Sequence, residues 1–202
     1  MGRRPRVVLL VLWFIGISIP LATLAVQHDL PFAARVSPVS PRTHGTRSAG
    51  VTPSVRHVLA ADCECSMTVA EGLIARGADT TEREQVWIVG RADVLRPRLE
   101  RAGYEVRETS AEDTVDTLGV VGTPLLLVYS PSRGEPLYAG GYNARRPTRP
   151  GDIKVDALVR LVRAGTPATP YPAYGCIVGQ DLRRQVDPLG LKYGIRSRES
   201  SS

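Results

Sequence analysis

A chain of 202 residues with 43% apolar side chains has room for one domain of ordinary size plus appendages, and with only two Phe and two Trp its core must be built from Val, Leu, Ile and Ala. The net charge of +6 is concentrated at one end: residues 1–50 carry six arginines against Asp29 alone, a local +5, which leaves +1 for the other 152 residues. A nearly neutral folded part has no electrostatic footprint for phosphate backbones, which argues against nucleic acid as a partner.

Arg3, Arg4 and Arg6 precede Val7–Val26, a run of twenty residues without a charge. At about 1.5 Å per residue a helix of that length spans the roughly 30 Å hydrocarbon core of a bilayer. The arginines keep its start cytoplasmic, so residues 1–26 read as a basic stub and single transmembrane anchor, with everything beyond on the extracytoplasmic (periplasmic) side. A cleaved signal peptide is the competing reading, because Thr23-Leu24-Ala25 offers a small-residue cleavage site. The usual apolar stretch of a signal peptide, about 7–15 residues, is shorter than this run, which favours the anchor. In both cases the soluble part works where dithiols and disulfides have uses. Residues 27–53 read as linker, with Pro31, Pro38, Pro41 and Pro53 among Ser, Thr, Gly and Arg and no periodicity.

A domain is expected over residues 54–165. It opens with a strand at Val55–Ala60, followed by Asp62-Cys63-Glu64-Cys65-Ser66 and a helix to Arg76, with Asp62 as N-cap, Val69, Ala70, Leu73 and Ile74 at helical spacing, and Gly77 closing it. Gln85–Val89 is a buried strand. A short helix ends near Ala102 with Gly103 beyond it, started or kinked by Pro97. Tyr104–Glu108 is a strand and Ala111–Leu118 a helical turn or two. Thr123-Pro124 leads into the apolar strand Leu125–Tyr129, a turn at Ser130–Gly134 into the strand Glu135–Ala139, then Gly140-Gly141. Asp152–Arg163, apolar at Ile153, Val155, Leu158, Val159 and Val162, closes the domain as a helix. The order β-α-β-α-β-α, then β-turn-β, then α, predicts a mixed sheet with helices on both faces. Residues 166–202 are expected to form a C-terminal extension that carries Cys176, a short amphipathic helix within Gln180–Tyr193, stopped by Pro188 and Gly190, and a disordered end.

Over residues 55–165 the chain resembles the thioredoxin superfamily: a cysteine pair at the first helix, Val121-Gly122-Thr123-Pro124 before a hairpin, Gly-Gly beyond it, and a final helix. The resemblance implies a thioredoxin-like α/β fold and a thiol–disulfide oxidoreductase acting on extracytoplasmic protein disulfides, without a cofactor. It implies that Cys63 is the exposed attacking thiol and Cys65 the resolving one. It also implies that Pro124 is cis, with Thr123 presenting its backbone to a substrate strand. The partners would be protein dithiols and disulfides.

The spacing departs from the family's Cys-x-x-Cys, for Glu64 alone separates Cys63 from Cys65. A disulfide across one residue closes a strained ring, which makes it more reducible. The start of a helix favours a thiolate, whereas Asp62 and Glu64 oppose it, so no unusually acidic thiol is expected. Cys176, outside the minimal unit, is a third redox thiol if the tail folds back over the helix start; an inert packed thiol or an intermolecular partner are the other readings. A metal site on Cys63, Cys65 and Cys176 for Cu(I), zinc or an Fe–S centre, with His57 as a possible fourth ligand, is the alternative function. Read on its own, His57 is a packing or surface residue, and Arg145–Arg149 is a solvated loop. No phosphate loop, Ser-His-Asp set or His-x-x-His pattern is present.

Overall fold

The computed structural model describes residues 3–27, 55–129, 136–165 and 168–187. The linker at 28–53, the turn expected at Ser130–Gly134 and the end from Pro188 lie outside them. The first unit holds helix α1 (Arg3–Gln27), whose described side chains, Val7 to Ile19, are exposed and almost all apolar. Among the described residues no helix is long and apolar enough to cross a membrane.

The second unit is a mixed α/β fold. Its chain order is β1 (Val55–Ala60), α2 (Glu64–Arg76), β2 (Glu84–Val89), α3 (Leu95–Arg101), β3 (Glu105–Thr109), α4 (Ala111–Leu118), β4 (Gly122–Thr123), β5 (Leu125–Tyr129), β6 (Pro136–Gly140), α5 (Val155–Arg163), β7 (Cys176–Ile177) and α6 (Gln180–Val186). Five strands form one sheet in the order β3-β2-β1-β5-β6, parallel across β1, β2 and β3 and antiparallel from β1 to β5 and from β5 to β6. Side chains alternate between the sheet's two faces, as a period of two requires. Val55, Leu59, Val86, Ile88, Leu126 and Val128 meet α2, α3 and α5 on one face, while Val58, Trp87, Leu125, Leu127 and Tyr129 meet Leu118 of α4 and Ala173 of the tail on the other. With both faces covered, β5 is a continuous apolar run.

The ends of the elements follow local chemistry. Ser110 caps α4 by accepting the Asp113 amide at 2.9 Å, and Gly119, at φ 66°, ends it in the left-handed conformation that Gly adopts without penalty. The last helix starts at Val155, not Asp152, because the Asp152 carboxylate accepts the Thr148 and Arg149 amides, each at 3.0 Å, and so closes a separate 3₁₀ turn. Cys63, not Asp62, occupies the N-cap of α2. The tail folds back on the domain, with Ala173, Ile177 and Val178 buried against it.

His57 is wholly buried, its Nδ1 2.9 Å from the Tyr142 hydroxyl and its ring stacked on that of Tyr142. Its Nε2 lies 3.8 Å from Glu84, too long for a hydrogen bond, so the pair interacts through its charge distribution. Arg76 grips both Glu84 oxygens at 2.6 and 2.9 Å and reaches Asp156 at 2.6 Å, while Tyr104 receives a further guanidinium hydrogen and donates to backbone carbonyls at the end of α2.

Glu84→Ala should destabilise the protein by about 3 kcal/mol, the low end for breaking a buried pair because Asp156 still faces Arg76. The same network sets an acid limb of stability. Burial lowers the His57 pKa below its ordinary value, so as the pH falls through about 6.5 the unfolded chain binds a proton that the folded one does not, and stability drops. For Glu84, burial raises the carboxyl but the neighbouring His57 and Arg76 outweigh it and leave it lowered. That contribution is present above about pH 4.3 and disappears as the pH falls through the folded-state value. Urea midpoints taken between about pH 8 and 3 should therefore show two descending limbs, the first absent in His57→Gln and the second weakened in Glu84→Gln.

Candidate functional site: a three-thiol cluster

The register between β1 and β5 assembles the site. Val58 is level with Leu125 in an antiparallel pair, and the chain just before Leu125, with β4, lies against β1, whose end leads to Cys63. The Thr123–Pro124 bond is cis, as expected from the sequence.

After Ala60 the chain turns tightly, the Cys63 amide donating to the Ala60 carbonyl at 3.2 Å. Cys63 has extended backbone (φ −114°, ψ 116°), and its carbonyl accepts the first helical amide, from Met67, at 2.9 Å. Its side chain therefore stands at the positive end of the 13-residue helix α2. Cys63, Cys65, Ala60 and Val178 form one small buried cluster, against which Cys176, Ala111 and Val89 pack. None of the three cysteines is in a disulfide.

The charge of this cluster belongs chiefly to Cys63. Hydrogen bonds from the Cys176 and Cys65 thiols hold the Cys63 pKa well below that of an ordinary thiol, against the opposing effect of burial, with Ser66 assisting. The Ser66 hydroxyl accepts the Ala60 amide at 3.0 Å, which leaves its own hydrogen to turn towards sulfur, although Cys63 makes no formal capping bond. Cys65 is pushed up, first by its hydrogen bond to Cys63, then by burial and by the negative charge on that neighbour; Arg146 opposes the shift. One thiolate shared among three sulfurs accounts for both directions.

Three expectations are corrected here. The Cys63 pKa is lowered, where Asp62 and Glu64 suggested no unusual acidity: Asp62 is exposed, and Glu64, with 91% of its side chain in solvent, leans towards Arg146 at 3.9 Å, so water screens both carboxylates from the sulfur. Cys63 is not an exposed thiol; it is 1% accessible, and the more open cysteine is Cys176. The loop at Arg145–Arg149 is not merely solvated, for Arg146 acts on Cys65. Ser66 and Arg146 are the participants that sequence reasoning missed. Ser66 carried a signal, as the third residue after a cysteine at a helix start, whereas Arg146 carried none, lying 81 positions away in a loop. Thr123 takes part through its backbone: its hydroxyl is buried and makes no hydrogen bond among the described residues.

His57 sits in the core network with Tyr142 and Glu84, outside the thiol cluster. Among the described residues no group of three or more His, Cys, Asp or Glu is arranged to hold a metal ion, so the metal alternative gains no support.

No family model and no curated protein matches the chain. A solved structure of an uncharacterized conserved protein from Geobacillus kaustophilus is similar to it at 16% identity and a TM-score of 0.51, covering 75% of this chain and 89% of that one. At that identity the likeness shows the fold alone: mixed α/β, with a central mixed sheet flanked by helices.

The arrangement predicts ultraviolet thiolate absorbance in the reduced protein at neutral pH. It should vanish in Cys63→Ser and persist in Cys65→Ser. In Cys176→Ser the titration midpoint of that absorbance should move upward, since the leading hydrogen bond to the thiolate is weakened.

Proposed function

We propose that this is a thioredoxin-like thiol–disulfide oxidoreductase that acts on protein disulfides at the outer side of the cytoplasmic membrane. The observation that carries the reading is the placement of Cys63 at the start of α2, in a cluster with Cys65 and Cys176 and beside the backbone of Thr123-Pro124. A thiolate at neutral pH is the species that attacks disulfides, and protonated thiols nearby are ready to complete the exchange.

In this reading the Cys63 thiolate attacks one sulfur of a partner disulfide. A mixed disulfide forms, the other partner sulfur leaves as a thiolate and takes a proton, and Cys65 or Cys176 then displaces the partner from Cys63. The protein dithiol is oxidised by two electrons and the partner disulfide reduced by two, so no cofactor is required. Thr123 and Pro124 shape the surface on which the partner's backbone lies. The arginines before Val7 and the uncharged run to Val26 support attachment by an N-terminal membrane helix, with the thiol domain beyond it in the periplasm.

Cys63→Ser should lower the rate of protein-disulfide reduction by on the order of a hundredfold or more, since it removes the nucleophile. An unchanged rate would end the redox reading. Replacing Cys65 together with Cys176 by Ser should trap mixed disulfides with partners, visible as adducts on a non-reducing gel and released by dithiothreitol. A topology reporter fused after Ser202 should be active only when it functions outside the cytoplasm; activity confined to a cytoplasmic reporter would overturn the location.

A further inference from the structure

β4 places two residues of edge backbone beside Cys63, and an open edge of that kind is a template for a further strand. The chain fills it with its own C-terminal segment. Cys176 is level with Thr123 and Ile177 with Gly122 in an antiparallel pair, and the amides of Val178 and Gly179 both donate to the Val121 carbonyl, at 2.9 and 3.1 Å. The approach is closer than any side chain permits: a Cβ on Gly175 would lie 2.0 Å from the Thr123 carbonyl oxygen and 2.5 Å from Pro124 Cδ. A second close approach anchors the segment upstream, where a Cβ on Gly141 would lie 2.1 Å from the Pro172 carbonyl oxygen and the Gly141 amide donates to Tyr171 at 2.8 Å. Ala173 and Val178, on either side of Cys176, are buried.

We propose that the C-terminal segment, residues 171–187, is a tethered substrate strand, and that Cys176, not Cys65, is the thiol that resolves the mixed disulfide on Cys63. The inference rests on the redox reading above and specifies how its site is closed and completed. At rest the strand covers Cys63 and presents Cys176 where a partner's cysteine would stand. A partner disulfide gains access when the strand lifts from β4; the Cys63 thiolate attacks it, forming a Cys63–partner bond and releasing one partner thiolate. The strand returns, Cys176 loses its proton and attacks the Cys63 sulfur, and the second partner thiolate leaves. The product is a Cys63–Cys176 disulfide. Two electrons have passed to the partner, whose two thiols take one proton from Cys176 and one from water. Cys65, buried and held protonated while Cys63 is a thiolate, stays a thiol in this cycle.

Disulfide mapping of the full-length protein tests this. The reduced protein is treated with oxidised glutathione, quenched with an alkylating agent, digested with trypsin and analysed by mass spectrometry. Trypsin leaves Cys63 and Cys65 on the peptide 57–76 and Cys176 on 164–183, so a cross-link between the two peptides reports Cys176 directly. The expected result is that cross-link, retained in Cys65→Ser, with glutathionylated Cys63 accumulating in Cys176→Ser. A disulfide confined to peptide 57–76, or loss of the cross-link in Cys65→Ser, overturns the inference while the redox reading stands. No protein disulfide together with no reduction of glutathione would defeat both. Independently, Gly175→Ala should force the strand off β4 and speed alkylation of Cys63 in the reduced protein by about tenfold or more, because a buried thiol otherwise reacts only through local opening. A rate equal to that of the parent protein would show that the strand does not close the site.

Discussion

The antiparallel register of β5 on β1 is the constraint on which the site depends. A register has only integer settings, and a slip by one residue would send every side chain of β5 to the opposite face. Leu126 and Val128 would then leave the cluster under α2 and α5, and Leu125, Leu127 and Tyr129 would leave the one beside α4. Because both faces of β5 are buried, such a slip would drive each side chain into a space shaped for its neighbour, and the sheet excludes it by that misfit, on the order of 1–3 kcal/mol for each badly packed side chain. Core packing thereby fixes where Thr123 and Pro124 stand relative to Cys63, and the chemistry inherits its precision from residues that never touch a sulfur.

Within that frame the helix start and the thiols divide the work. A helix N-terminus alone lowers a cysteine only partway, and burial raises it. Here the balance is tipped by two neighbouring thiols that donate to the same sulfur, so that the anion is solvated by S–H groups instead of water. The arrangement is self-limiting: the charge that makes Cys63 a nucleophile holds Cys65 protonated. It also explains why buried sulfurs suffice, since no water is needed to stabilise the charge.

Much of this was legible in the sequence, and the misses have physical causes. Element order, the helix from the cysteine pair to Arg76, and the apolar strand after Thr123-Pro124 followed from periodicity and turn residues, which are local signals. The N-cap was misplaced because Asp62 and Cys63 are adjacent and the better capping residue by type is not the one with the extended backbone that the turn from β1 leaves at that position. The acidity of Cys63 was missed because sequence neighbours were counted as spatial neighbours: Glu64 projects into solvent, whereas Cys176, 113 positions away, touches the sulfur. His57 looked ordinary because Tyr142, Glu84 and Arg76, which give it a buried polar setting, come from three other places in the chain.

The tail shows how a nonlocal feature is encoded without a local pattern. Tyr171-Pro172-Ala173-Tyr174-Gly175-Cys176 has neither helical nor strand periodicity, and by composition it reads as an appendage. Its information lies in two glycines read against distant backbone. Gly141 admits Pro172, and Gly175 admits the Thr123 carbonyl; either contact fails with a single methyl group. Beside those points the depth of Ala173 and Val178 supplies hydrophobic contact, while the pairing to β4 is only two residues long. A strand held by many contacts would be a permanent part of the sheet, and one held by none would leave Cys63 open. Two residues of ladder, flanked by close backbone seats, fall between those limits, which is what a segment must do if it both shields a reactive sulfur and yields it.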